Sequence, residues 1–219
     1  MKKIDKIAIY QIIEKKSRQF KRIDRWDQVR RRLGSINMAF SFLQTEVKSR
    51  TQYRSELLKY IPIGLVACIQ GYFNLAIRDL IDSGPPFSQN ATSFKDLHFK
   101  IEAILEIQGR KVTLGEIIAH LQSLNSLDSL HSSMTTILGE DFHKRLKEIV
   151  LSGETGKFGE FAYLVFPLMK RVFRLRHIYC HELSSAQRLK IKTIDDCSLG
   201  VAIYLYSTEL LIQKLTNKK

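Results

Sequence analysis

The chain has 219 residues, 44% of them hydrophobic and 26% charged, enough to bury one domain core and too apolar for a disordered chain. Formal net charge is +13 and uneven: residues 1–32 carry twelve Lys/Arg against four Asp/Glu, residues 33–182 seventeen against fifteen, and residues 183–219 six against three. That bias points to an anionic partner, RNA or DNA ahead of a membrane. Cys68, Cys180 and Cys197 form no paired spacing, and the first residues alternate charge with apolarity, which fits a reducing cytoplasm and no secretory start. The longest apolar runs, such as Ile61 to Ile69, fall short of the roughly 18 to 20 residues of a spanning helix, so no membrane segment is expected.

Apolar residues recur at three and four throughout, strict alternation is nearly absent, and four prolines interrupt the pattern, which predicts an all-α fold in one domain. Ile4, Ile7, Ala8, Ile12 and Ile13 make one stripe of a short first helix, inside a basic N-terminal arm over residues 1–32. Within SRQFKRIDRWDQVRRRLG, Phe20 and Trp26 stand among six arginines and one lysine. Such a stretch reads either as a phosphate-tracking surface with stacking aromatics or as a solvated helix face with its aromatics turned inward. Arg30, Arg31 and Arg32 are its candidate RNA-binding residues.

From Asp24 to Lys59 the spacing of Trp26, Val29, Leu33, Ile36, Phe40, Leu43 and Val47 predicts one long helix, or two broken near Gly34. Ile61-Pro62 reads as the start of the next, because proline suits a first helical turn. That helix, Pro62 to Ile81, is apolar on most of its circumference and should be the central buried one. Ser83-Gly84-Pro85-Pro86 ends it, and Pro85 to Thr92 reads as an exposed loop. Ser93 with Asp96, and Thr113 with Glu116, match the reciprocal hydroxyl and acid cap of a helix start. Two short helices follow between Ser123 and Val150, and His120, His131 and His143 there read as exposed or capping. GETGK after Ser152 is a turn and no phosphate loop, lacking both the glycine spacing and a predicted preceding strand. A motif helix over about 157–183, with Pro167 as a kink, leads to a last helix over about 194–216 capped by Thr193 with Asp196. Leu199, Ala202, Ile203, Tyr206, Leu210, Leu211 and Leu215 mark the apolar face of that last helix.

The densest chemistry is Lys170 to Glu182, KRVFRLRHIYCHE. On a helix His177 and His181 lie one turn apart and roughly 40° from stacked, while Arg174 falls within roughly 20° of His181 and Arg176 roughly 140° from it. Phe173, Ile178 and Cys180 read as packing residues. Three readings stand beside one another. The cations decorate a helix C-terminus favoured by its dipole. Alternatively His177 and His181 ligate a metal with Cys180 or Glu182, although the intervening glutamate of a zinc helix is absent and Ile178 stands there. In the third, the cluster is catalytic.

Arg176, four intervening residues and His181, at the end of an apolar helix followed by another, resemble the RX4-6H motif of the HEPN superfamily. In that family the residue after the arginine is usually polar, and here it is His177. The register from Arg174 has six residues between but puts Leu175 in the polar place, so Arg176 is preferred. The resemblance implies a HEPN-like up-and-down bundle with additional N-terminal and middle helices, acting as a homodimer whose two motifs share one cleft. It further implies a metal-independent endoribonuclease without a cofactor, which leaves 2′,3′-cyclic phosphate ends, in a toxin or phage-defence setting with an antitoxin or defence partner. Arg176, His177 and His181 would be catalytic, with Arg174 and Glu182 auxiliary. In toxins paired with nucleotidyltransferase antitoxins a tyrosine follows two positions after the histidine; here that is Leu183, so control by modifying it is not expected. A HEPN-like module that only binds RNA or nucleotides, or serves in assembly, is the alternative.

Overall fold

The computed structural model describes residues 24–45, 51–94, 112–152, 156–181 and 189–216. The expected helix over Ile4 to Ile13, Phe20, Val47, the Asp96 half of the Ser93 cap, Glu182 and Leu183 lie outside them. Among the described residues the fold is an all-α bundle with one two-stranded hairpin.

Helix α1, Arg25–Thr45, forms on the predicted stripe: Val29, Leu33, Ile36, Phe40 and Leu43 are buried. It runs unbroken through Gly34, where a side chain would meet nothing, so no contact there demands a break. Helix α2, Thr51–Asp82, also departs from expectation, because Pro62 lies inside it and does not start it. A proline removes one backbone bond, but Leu58, Ile61, Leu65 and Val66 flank it on the buried side, and burial of each is worth about 1.5–3 kcal/mol. The rest of α2 is the expected central helix: Leu65, Ile69, Tyr72, Phe73, Ala76, Ile77 and Leu80 are wholly buried, and α1 packs against it. Within Tyr53–Asp82 of α2 the most apolar 18-residue window has mean hydropathy 1.5, enough by length and composition alone to cross a membrane although its uninterrupted apolar runs are short; 56% of that window is buried inside the bundle.

Gly84, with φ of 89°, turns the chain out of α2. The segment after it is helix α3, Phe87–Asn90, and a 3-10 turn, Ala91–Ser93, in place of an exposed loop. Phe87 and Ala91 are buried and hold the segment down. Helix α4, Leu114–Leu121, starts on the expected reciprocal cap: the Thr113 hydroxyl accepts from the Glu116 N–H at 3.1 Å, and Glu116 accepts from the Thr113 N–H at 3.0 Å. Its glycine, Gly115, is needed for close approach, since a Cβ there would sit 2.5 Å from the Arg78 carbonyl oxygen of α2. Helices α5, Leu127–Leu138, and α6, Phe142–Lys147, are the two short helices expected before Val150.

Strands β1, Val150–Ser152, and β2, Gly156–Lys157, pair antiparallel and enclose the predicted turn. A strand therefore does precede Gly156; the glycine spacing alone excludes a phosphate loop. Helix α7, Phe158–His181, passes through Pro167 and packs on α2 and on α8, Ile191–Thr216. The Thr193 cap is not made, because α8 already begins at Ile191 and the buried Thr193 hydroxyl accepts from Arg171 Nη2 of α7 at 3.3 Å. The buried face of α8 is Ile194, Cys197, Val201, Tyr204, Leu205, Thr208, Leu211 and Ile212. Of the expected apolar stripe only Leu211 belongs to it; Leu199 and Tyr206 are exposed and the other four half-buried. Polar Thr208 and Glu209 share the interior with that face, which disguises its period.

Candidate functional site

Helix α7 divides lengthwise. Ala162, Val165, Met169, Val172, Phe173, Leu175 and Ile178 point inward, while Tyr163, Leu164, Lys170, Arg171, Arg174, His177 and His181 point outward. The outward stripe is apolar in the first half of the helix and cationic in the second. Its depth is fixed by a close crossing with α8, where a Cβ on Gly200 would lie 2.9 Å from Leu168 Cβ. The C-terminal turns of α7 are thereby held beside the start of α8, where Lys190 and Lys192 are also exposed.

At that end His177 and His181 share a face as the spacing predicts, with ring centroids 5.2 Å apart and planes tilted at 47°. Both are exposed, as is Arg174, whereas Arg176 is half-buried. A helix wheel that puts Arg174 in line with His181 and Arg176 aside is consistent with this division. Cys180, expected to pack, is exposed, and Phe173 and Ile178 pack as expected. The remaining auxiliary residue, Glu182, lies outside the described residues. The cluster offers two imidazoles able to exchange a proton and guanidinium groups able to hold phosphoryl oxygens, all reachable by a large ligand. Among the described residues no group of three or more His, Cys, Asp or Glu side chains is placed to hold a metal ion.

Arg30, Arg31 and Arg32 are exposed on α1, a helix that packs on α2 and α8. Arg30 pairs with Asp27 at 3.0 Å, an exposed pair worth at most about 1 kcal/mol. Trp26 takes the inward reading, half-buried against Tyr206 of α8 with ring centroids 5.7 Å apart.

Two interior clusters had no counterpart among the expected sites. Arg25, at the start of α1, gives Glu209 of α8 two bonds of 2.8 Å and Asp79 of α2 one of 2.6 Å. The Tyr72 hydroxyl donates to Glu209 at 2.9 Å, Gln213 donates to it at 3.1 Å, and Arg78 closes on Asp79 at 2.7 Å. Burial works against the charge on Arg25, but Glu209, with Tyr72 and Asp79, more than reverses it and raises its pKa. An acid inside the apolar run of α8 was the legible signal, since a buried carboxylate needs a partner.

The second cluster corrects the reading of the middle histidines. His131 of α5 is partly buried, and its Nε2 makes a 2.8 Å hydrogen bond with the hydroxyl of the wholly buried Tyr204. Phe142, His143 and Phe166 ring it, with His143 lying 4.2 Å from Phe166 between centroids. Burial, then the nearby His143, pushes His131 down to about 4, and Asp128 and Asp141 oppose that only in part. His143 is also lowered, chiefly by burial. His120 is exposed, as expected.

Comparison with protein-family models, curated proteins and solved structures found no match for this chain.

Proposed function

We propose that the chain is a metal-independent endoribonuclease of HEPN-like up-and-down architecture, working as a homodimer in a toxin or phage-defence setting. What carries the reading is the exposed pair His177 and His181, 5.2 Å apart at the end of α7, with Arg174 and Arg176 on the preceding turns. His181 takes the proton from a ribose 2′-hydroxyl as that oxygen attacks the adjacent phosphorus. A 2′-O–P bond forms, the P–O5′ bond breaks, and the 5′-oxygen leaves with a proton that His177 or the second motif supplies. The Arg176 guanidinium holds the phosphoryl oxygens as charge builds on them, with Arg174 as its neighbour. The product ends are a 2′,3′-cyclic phosphate and a 5′-hydroxyl.

Histidine with arginine supports this chemistry without a metal, and the exposure of the cluster admits both an RNA strand and a second motif. The test is RNA cleavage by the purified full chain in excess EDTA. Wild-type protein should cut, and His181→Ala or Arg176→Ala should cut at least about 100-fold more slowly, the scale of lost general acid–base or electrostatic catalysis, with unchanged melting. Undiminished cleavage in both variants would overturn the site. Binding without any cleavage by wild-type protein would make the chain a binding module.

A further inference from the structure

Helices α7 and α8 form a layer that is buried on its inner side and left uncovered by the described residues on its outer side. The two run antiparallel, with Leu168 of α7 set against Gly200 of α8 and Arg171 Nη2 on the Thr193 hydroxyl. At about 100° per residue, Leu164 and Pro167 are turned back from Leu168 by roughly 40° and 100°. On α8, Ile203, Leu199 and Tyr206 are turned back from Gly200 by roughly 60°, 100° and 120°. The buried residues Val165, Met169 and Val172 of α7, and Cys197, Val201 and Tyr204 of α8, are turned the opposite way. On antiparallel helices one rotational sense corresponds to one side of the pair, so the two uncovered stripes share a surface. It is apolar and open: Leu164 is 52% exposed, Leu199 62%, Tyr206 40%, and Tyr163 at its margin 73%.

The path of the chain identifies the occupant. Trp26 lies with its ring 5.7 Å from that of Tyr206, and its neighbour Arg25 is bound to Glu209. Residues 1–23, which lie outside the described residues, therefore join the bundle at the rim of this patch. Seven of the ten residues from Ile4 to Ile13 are apolar, five of them isoleucine. The patch is within their reach. Along α8, Leu199 is about 10 Å from Tyr206, and α7 lies about 8–10 Å to the side, whereas residues 14–23 span up to about 33 Å when extended. So short a tether sets an effective concentration on the order of 1 mM, well above that of a second copy in dilute solution. Aliphatic Leu164, Pro167, Leu199 and Ile203 give a nucleic acid no ring on which to stack a base.

We propose that the outer face of the α7–α8 layer is an intramolecular docking surface for residues 4–13, whose isoleucines cover Leu164, Leu199 and Tyr206. The basic N-terminal arm is thereby divided in role: its apolar residues fasten it to the layer that carries the cationic end of α7, and its lysines stay in solvent. The proposal does not rest on the nuclease reading.

Hydroxyl-radical footprinting of the full chain, read by mass spectrometry, tests it from the side of the face. Ile7→Asp, Ile9→Asp and Ile12→Asp together should raise oxidation of Tyr163, Leu164 and Leu199 about tenfold or more, with Tyr53 and Tyr60 of α2 as unchanged exposed controls. Amide hydrogen exchange tests it from the side of the segment. Residues 4–13 should exchange slowly in wild-type protein and about tenfold or more faster in Leu164→Asp with Leu199→Asp, while the centre of α2 stays protected because both substituted side chains face solvent. Oxidation equally fast in wild type and triple variant, or exchange over 4–13 that ignores the aspartates on the face, would overturn the proposal. Protection of the face that is lost on dilution would overturn it in favour of a second copy, and protection that appears only with added RNA would overturn it in favour of that ligand.

Discussion

Protonating His131 places a charge in a pocket made by Tyr204, Phe142, Phe166 and His143, with Lys170 also near. The folded chain holds His131 neutral down to about pH 4, while the unfolded chain takes up that proton near 6.5, so the unfolded state binds more protons between those values. Stability is therefore complete above about pH 6.5 and falls, by roughly 3 kcal/mol from this group, as pH drops to about 4. Urea unfolding of wild-type protein at several pH values should show that slope, and His131→Phe should lose most of it; an equal slope in the variant would assign it to other groups. None of this was legible in the chain, where His131 has no patterned neighbour, because its partner Tyr204 is 73 residues away. His177 and His181 were legible for the opposite reason: their partner is one helical turn off, and local geometry alone brings the rings together.

At the scale of elements, the Arg25, Glu209, Asp79 and Tyr72 network fastens the start of α1 to α2 and α8. Removing one partner leaves a buried charge unanswered, so Glu209→Ala should destabilise the chain by about 3–5 kcal/mol in urea unfolding, well beyond Asp27→Ala, which removes only the exposed pair with Arg30. A loss below about 1 kcal/mol for Glu209→Ala would show the network to be replaceable. Local rules read the helix starts unevenly. Thr113 capped as expected because its other partner, Asp82 of α2, takes the hydroxyl proton at 2.7 Å and leaves the oxygen free to accept from Glu116, whereas Thr193 is claimed by Arg171 across the α7–α8 contact. Pro62 reads as a start and sits inside α2, because tertiary burial on both sides outweighs one missing backbone bond.

Across the whole molecule, the periodicity of three and four carried the all-α class, and the dense apolar middle of α2 carried the position of the core. What it could not carry is which apolar residues stay outside. Met38, Phe42, Tyr53, Leu57 and Tyr60 continue helical patterns like core residues do, and only the packing of α1 on α2 shows them uncovered. The packing of α7 on α2 and α8 leaves Arg174, His177 and His181 exposed, which joins an anion-seeking charge of +13 to a pair of adjacent imidazoles. The central claim is that this end cuts RNA through the ribose 2′-oxygen, and the chemistry of the cut ends tests it most directly. RNA incubated with wild-type protein in EDTA should carry 2′,3′-cyclic phosphate and 5′-hydroxyl ends that His181→Ala does not produce; 3′-hydroxyl ends, or cleavage that stops with chelator and returns with a divalent ion, would contradict the account.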